Sequence, residues 1–146
     1  MIDLTTPIVP YEGTGIFKLN ETYADVCTKL KTFKILYKEK VLEVADEDFE
    51  EWKIVDILKR GHKYEVMQLF FAKDKLLKIV LWEDFKGSLP NGIHTGMNLL
   101  EAKKIDSKLE RDDEFDELFE SPDGYSIEYS NGTGKIINIS IFVSEL

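Results

Sequence analysis

A strand written twice constrains this chain more than any other feature. Lys75–Trp82 reads KLLKIVLW, and Lys135–Phe142 reads KIINISIF. Both open on Lys, carry apolar residues through matching positions and close on an aromatic. Each is the second arm of a hairpin signal. In the first, YEVMQLFFA meets the turn KDK and then LLKIVLW; in the second, YSIEYS meets NGTG and then KIINISIF. The second hairpin alternates, with Ile127 and Tyr129 on one arm and Ile137, Ile139 and Ile141 on the other. That period of two marks strands with one buried side. Asn131-Gly132 and Gly134 supply the positive φ angles of a tight turn. The first hairpin is more continuously apolar, the pattern of strands covered on both faces.

A glycine-marked lead-in and a helix precede each hairpin. GIFKLN leads to ETYADVCTKLKTF, where Thr22 or Asn20 can cap and Val26, Leu30 and Phe33, with Tyr23, recur at helical spacing. NGIHTGMN leads to LLEAKKIDSKL, where Asn98 can cap and Ala102, Ile105 and Leu109 form the stripe. The two lead-ins align as Gly15-Ile16 with Gly92-Ile93, Thr22 with Asn98, and Ala24-Asp25-Val26 with Leu100-Glu101-Ala102. A further helix is expected over DDEFDELFES, with Phe115, Leu118 and Phe119 on one face, acids in the first turn and Pro122 as the stop. In the first half, Lys34–Val44 alternates apolar and charged residues and reads as a strand. A helical turn is expected near Asp46–Glu50, and a strand over Trp52–Leu58.

The expectation is an α+β chain: two similar helix-plus-antiparallel-hairpin units packed into one globular domain over 1–146. The internal repeat would span 15–84 and 92–143, joined near Phe85–Asn91. A helix plus a hairpin has one apolar face and is too small to bury it alone, so two such units gain by sharing a core or joining sheets edge to edge. GIFKLNETYADV and NGIHTGMNLLEA, each followed by its hairpin, resemble the tandem helix-plus-sheet repeat of beta-lactamase-inhibitor-protein-like folds. That resemblance implies a protein that binds other proteins and does not catalyse. In size, charge and style the chain also looks like the small acidic immunity proteins encoded beside bacterial contact-dependent-inhibition toxins. Those are cytoplasmic domains that neutralise a toxin domain delivered by a neighbouring cell.

Composition narrows the partners. Over 146 residues the chain is 43% hydrophobic and 12% aromatic, enough for a real core, and its formal net charge is −9. Acidity disfavours direct contact with nucleic acid or an anionic membrane, both of which attract Lys and Arg. The N-terminus MIDLTTPIVPY has neither a basic region nor a long apolar run, so a cytoplasmic chain with no signal peptide or membrane span is expected. The lone Cys27 lies in an apolar-periodic segment and reads as a buried structural thiol. His62 and His94, in KRGHKY and GIHTG, have no partner at metal-ligand spacing. NGTGK precedes a strand where a phosphate loop would precede a helix, so it is a turn. No catalytic residue, metal or cofactor is assigned.

Two acidic clusters remain: Asp46, Glu47, Asp48, Glu50 and Glu51, and Asp112, Asp113, Glu114, Asp116 and Glu117. Paired carboxylates can run glycoside hydrolysis or hold Mg²⁺. These sit at expected helix starts and on polar faces, where solvated charges favour the helix dipole. As a set they are candidates for an acidic rim around aromatic anchors, the surface a binder of a basic protein would use. The expected function is therefore a non-catalytic immunity protein bound to a cognate toxin, a basic nuclease domain. A small metal- or carboxylate-dependent hydrolase using His62 or His94, and an adaptor or scaffold module, are the alternatives. Lys and Glu in YKEKVLEV discourage uncontrolled strand pairing.

Overall fold

Both expected hairpins form, and they meet at the centre of one large sheet. The computed structural model describes residues 2–42 and 51–144. In chain order the elements are β1 (Ile8–Val9), β2 (Gly13–Thr14), β3 (Phe17–Lys18), α1 (Tyr23–Thr32), β4 (Tyr37–Leu42), β5 (Trp52–Leu58), β6 (Glu65–Ala72) and β7 (Lys75–Trp82). There follow α2 (Leu99–Ile105), β8 (Glu110–Arg111), β9 (Leu118–Ser121), β10 (Tyr125–Tyr129) and β11 (Ile136–Phe142). An eight-stranded antiparallel sheet runs β4-β5-β6-β7-β11-β10-β9-β8, and a small sheet runs β1-β2-β3.

This corrects the α+β expectation. Among the described residues the chain is mostly β, 41% strand and 13% helical, with two helices, and it is not a balanced helix-plus-hairpin repeat. The expected helix over DDEFDELFES does not form. The Asp112 carboxylate accepts from the backbone N–H groups of Glu114 and Phe115 and closes a turn where a helix would have started. Leu118–Ser121 is then a strand paired with β10, with Phe119 and Ser121 buried and Glu120 exposed between them. Phe115, placed on the core face by the helical reading, is 62% exposed. The expected stripe of α2 also breaks: Ala102 is buried, Ile105 is exposed, and Leu109 is buried beyond the helix end. Trp52–Leu58 is a strand as expected, whereas the helical turn expected near Asp46–Glu50 lies outside the described residues. The three short N-terminal strands were not foreseen.

The register of the large sheet is the same on either side of its centre. Between β7 and β11, Val80 pairs with Ser140, flanked by Ile79 with Ile141 and Leu81 with Ile139. Moving outward, Leu81 pairs with Met67 and Ile141 with Tyr125. Then Met67 pairs with Ile57, and Tyr125 with Ser121. Each hairpin carries a register shift at the same place, at Phe70/Phe71 in β6 and at Glu128/Tyr129 in β10. The helix caps are tied in alike. Thr22 caps α1 and bridges to Lys75; Asn98 caps α2 and bridges to Lys135. Asp74 O accepts from Tyr23 N, and Gly134 O accepts from Leu99 N. Asp74 and Gly134 both have left-handed backbone.

The buried apolar side chains other than Ile54 and Val80 form one cluster. From the sheet it takes Val55, Ile57, Met67, Leu69, Ile79, Leu81, Ile139, Ile141, Ile127 and Phe119; from the helices it takes Val26, Leu30, Leu99 and Ala102. Each fully buried large apolar side chain contributes about 1.5–3 kcal/mol, so the helices are held by this face more than by their own propensity. The N-terminal segment closes the cluster from one side with Ile8 and Phe17. Its chain runs beside Lys86–Ser88: Leu4 O accepts from Lys86 N, and Ser88 O from Ile8 N. Gly87 permits that approach, because a Cβ there would lie 1.9 Å from Thr6 O.

Candidate functional site

Alternation along the strands leaves a second face of the large sheet, and neither helix packs on it. Gln68 and Phe70 of β6, Lys78, Val80 and Trp82 of β7, and Asn138, Ser140 and Phe142 of β11 line a broad depression there, of about 740 Å³. Ser126 and Glu128 of β10 and Leu118 and Glu120 of β9 continue it toward the β8 edge. Register places Lys38 and Lys40 of β4 on the same face, because Lys38 pairs with Asp56 and Asp56 with Gln68.

Side-chain hydrogen bonds fix the floor. Trp82 Nε1 donates to Gln68 Oε1 at 2.9 Å, and Gln68 Nε2 donates to Asp56 Oδ1 at 2.9 Å. Lys40 Nζ lies 3.4 Å from Asp56 Oδ2 and completes the row. Across the centre, Asn138 Nδ2 donates to Glu128 Oε1 at 2.6 Å. Gln68, Ser126, Asn138 and Ser140 are all buried although they face outward, so the floor is crowded and preset. Trp52 meets Phe70 edge-on at 6.3 Å between ring centroids. Lys78 Nζ lies 5.3 Å from the centroid of the Phe70 ring. Burial draws the Lys78 ammonium below the ordinary lysine range, with the Glu128 charge opposing.

The second acidic cluster borders this face. Asp112, Asp113 and Glu114 line a recess with Glu110, Glu120, Ser121 and Pro122, and the last three of these also line the main depression. Glu114, Asp116 and Glu117 line a further recess with the exposed Phe115, Leu118, Glu128 and Asn131. Asn131 Nδ2 donates to Glu117 Oε1 at 2.8 Å. Burial and then the Asp112 carboxylate raise the Glu120 carboxyl, whereas backbone N–H groups of Glu114 and Phe115 hold Asp112 low.

Glu51, the described member of the first cluster, does not join it. Glu51 is exposed and lines a small separate recess with Tyr23, Lys53, Lys73 and Asp74. Asp46, Glu47, Asp48 and Glu50 lie outside the described residues. The aromatic and amide floor was missed from the sequence, although its signal was present: Asn138 and Ser140 alternate with the isoleucines of KIINISIF, and Lys78 interrupts KLLKIVLW.

The histidines stand apart from the carboxylate cluster. His62 Nδ1 lies 3.2 Å from Asp84 on the surface, and His94 Nδ1 is 2.7 Å from Thr95 O. Among the described residues no three His, Cys, Asp or Glu side chains gather as metal ligands. No helix among them is long and apolar enough to cross a membrane. A polar cluster does exist inside the core. Asp106 Oδ2 accepts from Ser121 Oγ at 2.8 Å and from Tyr125 OH at 2.5 Å, and Asp106 Oδ1 accepts from Lys108 N at 3.0 Å. Burial pushes the Asp106 carboxyl up, but these hydrogen bonds outweigh it and hold it below the usual range. Burial, then the bond to Asp106, pushes Tyr125 up to about 12. This network ties the end of α2 to β9 and β10. Comparison with known families, curated proteins and solved structures finds no match.

Proposed function

We propose that this chain is a non-catalytic immunity protein of the cytoplasm. It binds a cognate toxin domain, a basic nuclease, and occludes that domain's active site or substrate surface. The observation that supports this best is the sheet face that neither helix covers among the described residues. It has an aromatic centre at Phe70, Trp82 and Phe142 and an acidic flank at Asp112, Asp113, Glu114 and Glu120. Aromatic side chains on a preset floor provide desolvated contact area at low entropic cost, and flanking carboxylates steer a basic partner and pair with its Arg and Lys. A nuclease handles a polyanion, so its substrate groove is basic, and an acidic plug excludes substrate by occupancy and repulsion. The resemblance to immunity proteins in size, charge and style points the same way.

The test is co-expression with the protein encoded next to this gene. The expected result is one-to-one co-purification and loss of that protein's nuclease activity. Trp82→Ala should weaken the complex about thirtyfold or more. Asp112→Lys with Asp113→Lys should slow association and flatten its salt dependence. A neighbouring product that neither binds nor is inhibited would sink the reading, and an unchanged association rate in the charge-reversed variant would remove the steering role.

A further inference from the structure

The open face is nearly two-fold in backbone, yet it is not two-fold in charge. The local axis passes through the Val80–Ser140 pair, and equivalent positions on either side follow from the pairing. Lys38 opposes Asp56 on one side, and Glu110 opposes Glu120 on the other, so Glu110 stands where Lys38 does. Phe70 opposes Lys78, and Glu128 opposes Asn138, so Glu128 stands in the place of Phe70 and Asn138 in that of Lys78. The β4–β7 half thus presents Lys38, Lys40 and Lys78, with Asp56 beside Lys40 and Glu65 opposite Leu58. The other half presents Glu110, Glu120 and Glu128, backed by Asp112, Asp113 and Glu114. Lys108 and Arg111 line the same recess and offset these acids only in part, because Lys108 is paired with Asp123. Arg111 pairs with Phe119 on the core side, its guanidinium 5.5 Å from that ring.

A backbone of this symmetry offers a partner two poses related by the axis, and opposed charge at equivalent positions removes one of them. Building on the reading that this face is where a partner docks, we propose that it accepts a protein surface in one orientation only. An acidic patch of the partner lies over Lys38, Lys40 and Lys78, and a basic patch lies over Glu120, Glu128 and the Asp112–Glu114 turn. Lys78 makes the first half of this demand strict. Among the described residues its ammonium has the Phe70 ring beside it, and no hydrogen bond or ion pair is made by its Nζ. Covering the face strips its remaining water, so a partner that covers it must bring an acceptor. A uniformly basic surface fits the acidic flank and fails at this point.

The orientation can be read without the natural partner. The probe is a synthetic peptide of about sixteen residues, long enough to cross a sheet of eight strands at about 4.8 Å spacing. It carries a glutamate block at one end, a Gly-Ser-Tyr spacer and a lysine block at the other, with a nitroxide on either end in two separate preparations. At low ionic strength, the label on the glutamate end should bleach amide signals of Tyr37–Leu42 and Lys78. The label on the lysine end should bleach those of Asp112–Glu120. Exchanging the poles, with Lys38→Glu, Lys40→Glu, Glu110→Lys, Asp113→Lys, Glu114→Lys and Glu120→Lys, should reverse the pattern. Equal bleaching of both edges by both labels, or no bleaching on the native protein, would overturn the proposal. The native measurement stands even if the exchanged variant fails to fold. An oriented probe alongside a non-binding neighbouring product would leave the orientation intact and remove only the toxin reading.

Discussion

The two halves of the large sheet, β4–β7 and β8–β11, share order, register and helix tethers but differ in what they bury. Leu30 follows the cap Thr22 at the same distance as Asp106 follows the cap Asn98. Ile57 and Met67 are paired strand neighbours in one half, and Ser121 and Tyr125 are their counterparts in the other. One half therefore closes around Leu30, Ile57 and Met67, all at most 1% exposed. The other closes around Asp106, Ser121 and Tyr125, hydrogen-bonded to one another. The difference separates two causes. Backbone arrangement follows from the capped helix bridged to the first lysine of a strand and from the left-handed turn residue before it. The chemistry filling the space beneath is free to be apolar or polar, provided every polar atom is satisfied.

The sharpest way to break the comparison is to cross the two chemistries at one position. Leu30→Asp places a carboxylate in the apolar half with no donors around it, and should cost more than about 4 kcal/mol, read as loss of the cooperative urea transition. Asp106→Leu strands the Ser121 and Tyr125 hydroxyls and should cost about 3 kcal/mol in the same measurement. Converting the polar half wholly, with Asp106→Leu, Ser121→Ile and Tyr125→Met, should recover most of that and return stability to within about 1.5 kcal/mol of the native protein. A triple variant worse than the single one would show that the halves are not interchangeable.

A pH titration of stability sharpens the same contrast with a smaller effect. Tyr125 is raised in the folded chain from 10.0 to about 12, so its contribution is full below pH 10 and is lost as pH climbs toward about 12. Asp106 is held below its ordinary 3.8, so its contribution is full above that value and is lost as pH falls through the lower folded one. Tyr125→Phe should cost about 1 kcal/mol at neutral pH and flatten the alkaline limb, and no substitution at Met67 should flatten it. The smallest expected change is at the edge. Lys40→Ala removes a half-exposed lysine from Asp56, which keeps its bond from Gln68, and should shift stability by less than about 0.5 kcal/mol.

The hairpins, both caps and the Trp52–Leu58 strand were legible because period-two alternation, Asn and Thr at helix starts, and turn residues act locally. DDEFDELFES was not, because Phe115, Leu118 and Phe119 satisfy helical spacing while Phe119 and Ser121 also satisfy strand spacing. The deciding contact is with β10, which is remote from a local window. Of the candidate site, the acids at Asp112–Glu117 could be picked out as a charge cluster. Their neighbour Glu120 could not be singled out. The floor of Phe70, Lys78, Trp82 and Asn138 could not be assembled either, since three of these belong to a hairpin whose apolar run hides which side of it stays open.

The clasp of the N-terminal segment has a temporal consequence. Tyr11 packs its ring on Gly124, where a Cβ would sit 2.5 Å away, and its hydroxyl donates to Pro122 O. Leu4 and Ile8 bond to Lys86 and Ser88. All these anchors lie far downstream in the chain. Residues of this segment are therefore made well before the ones they dock on, and Ile8 stays undocked until Lys86–Ser88 have followed.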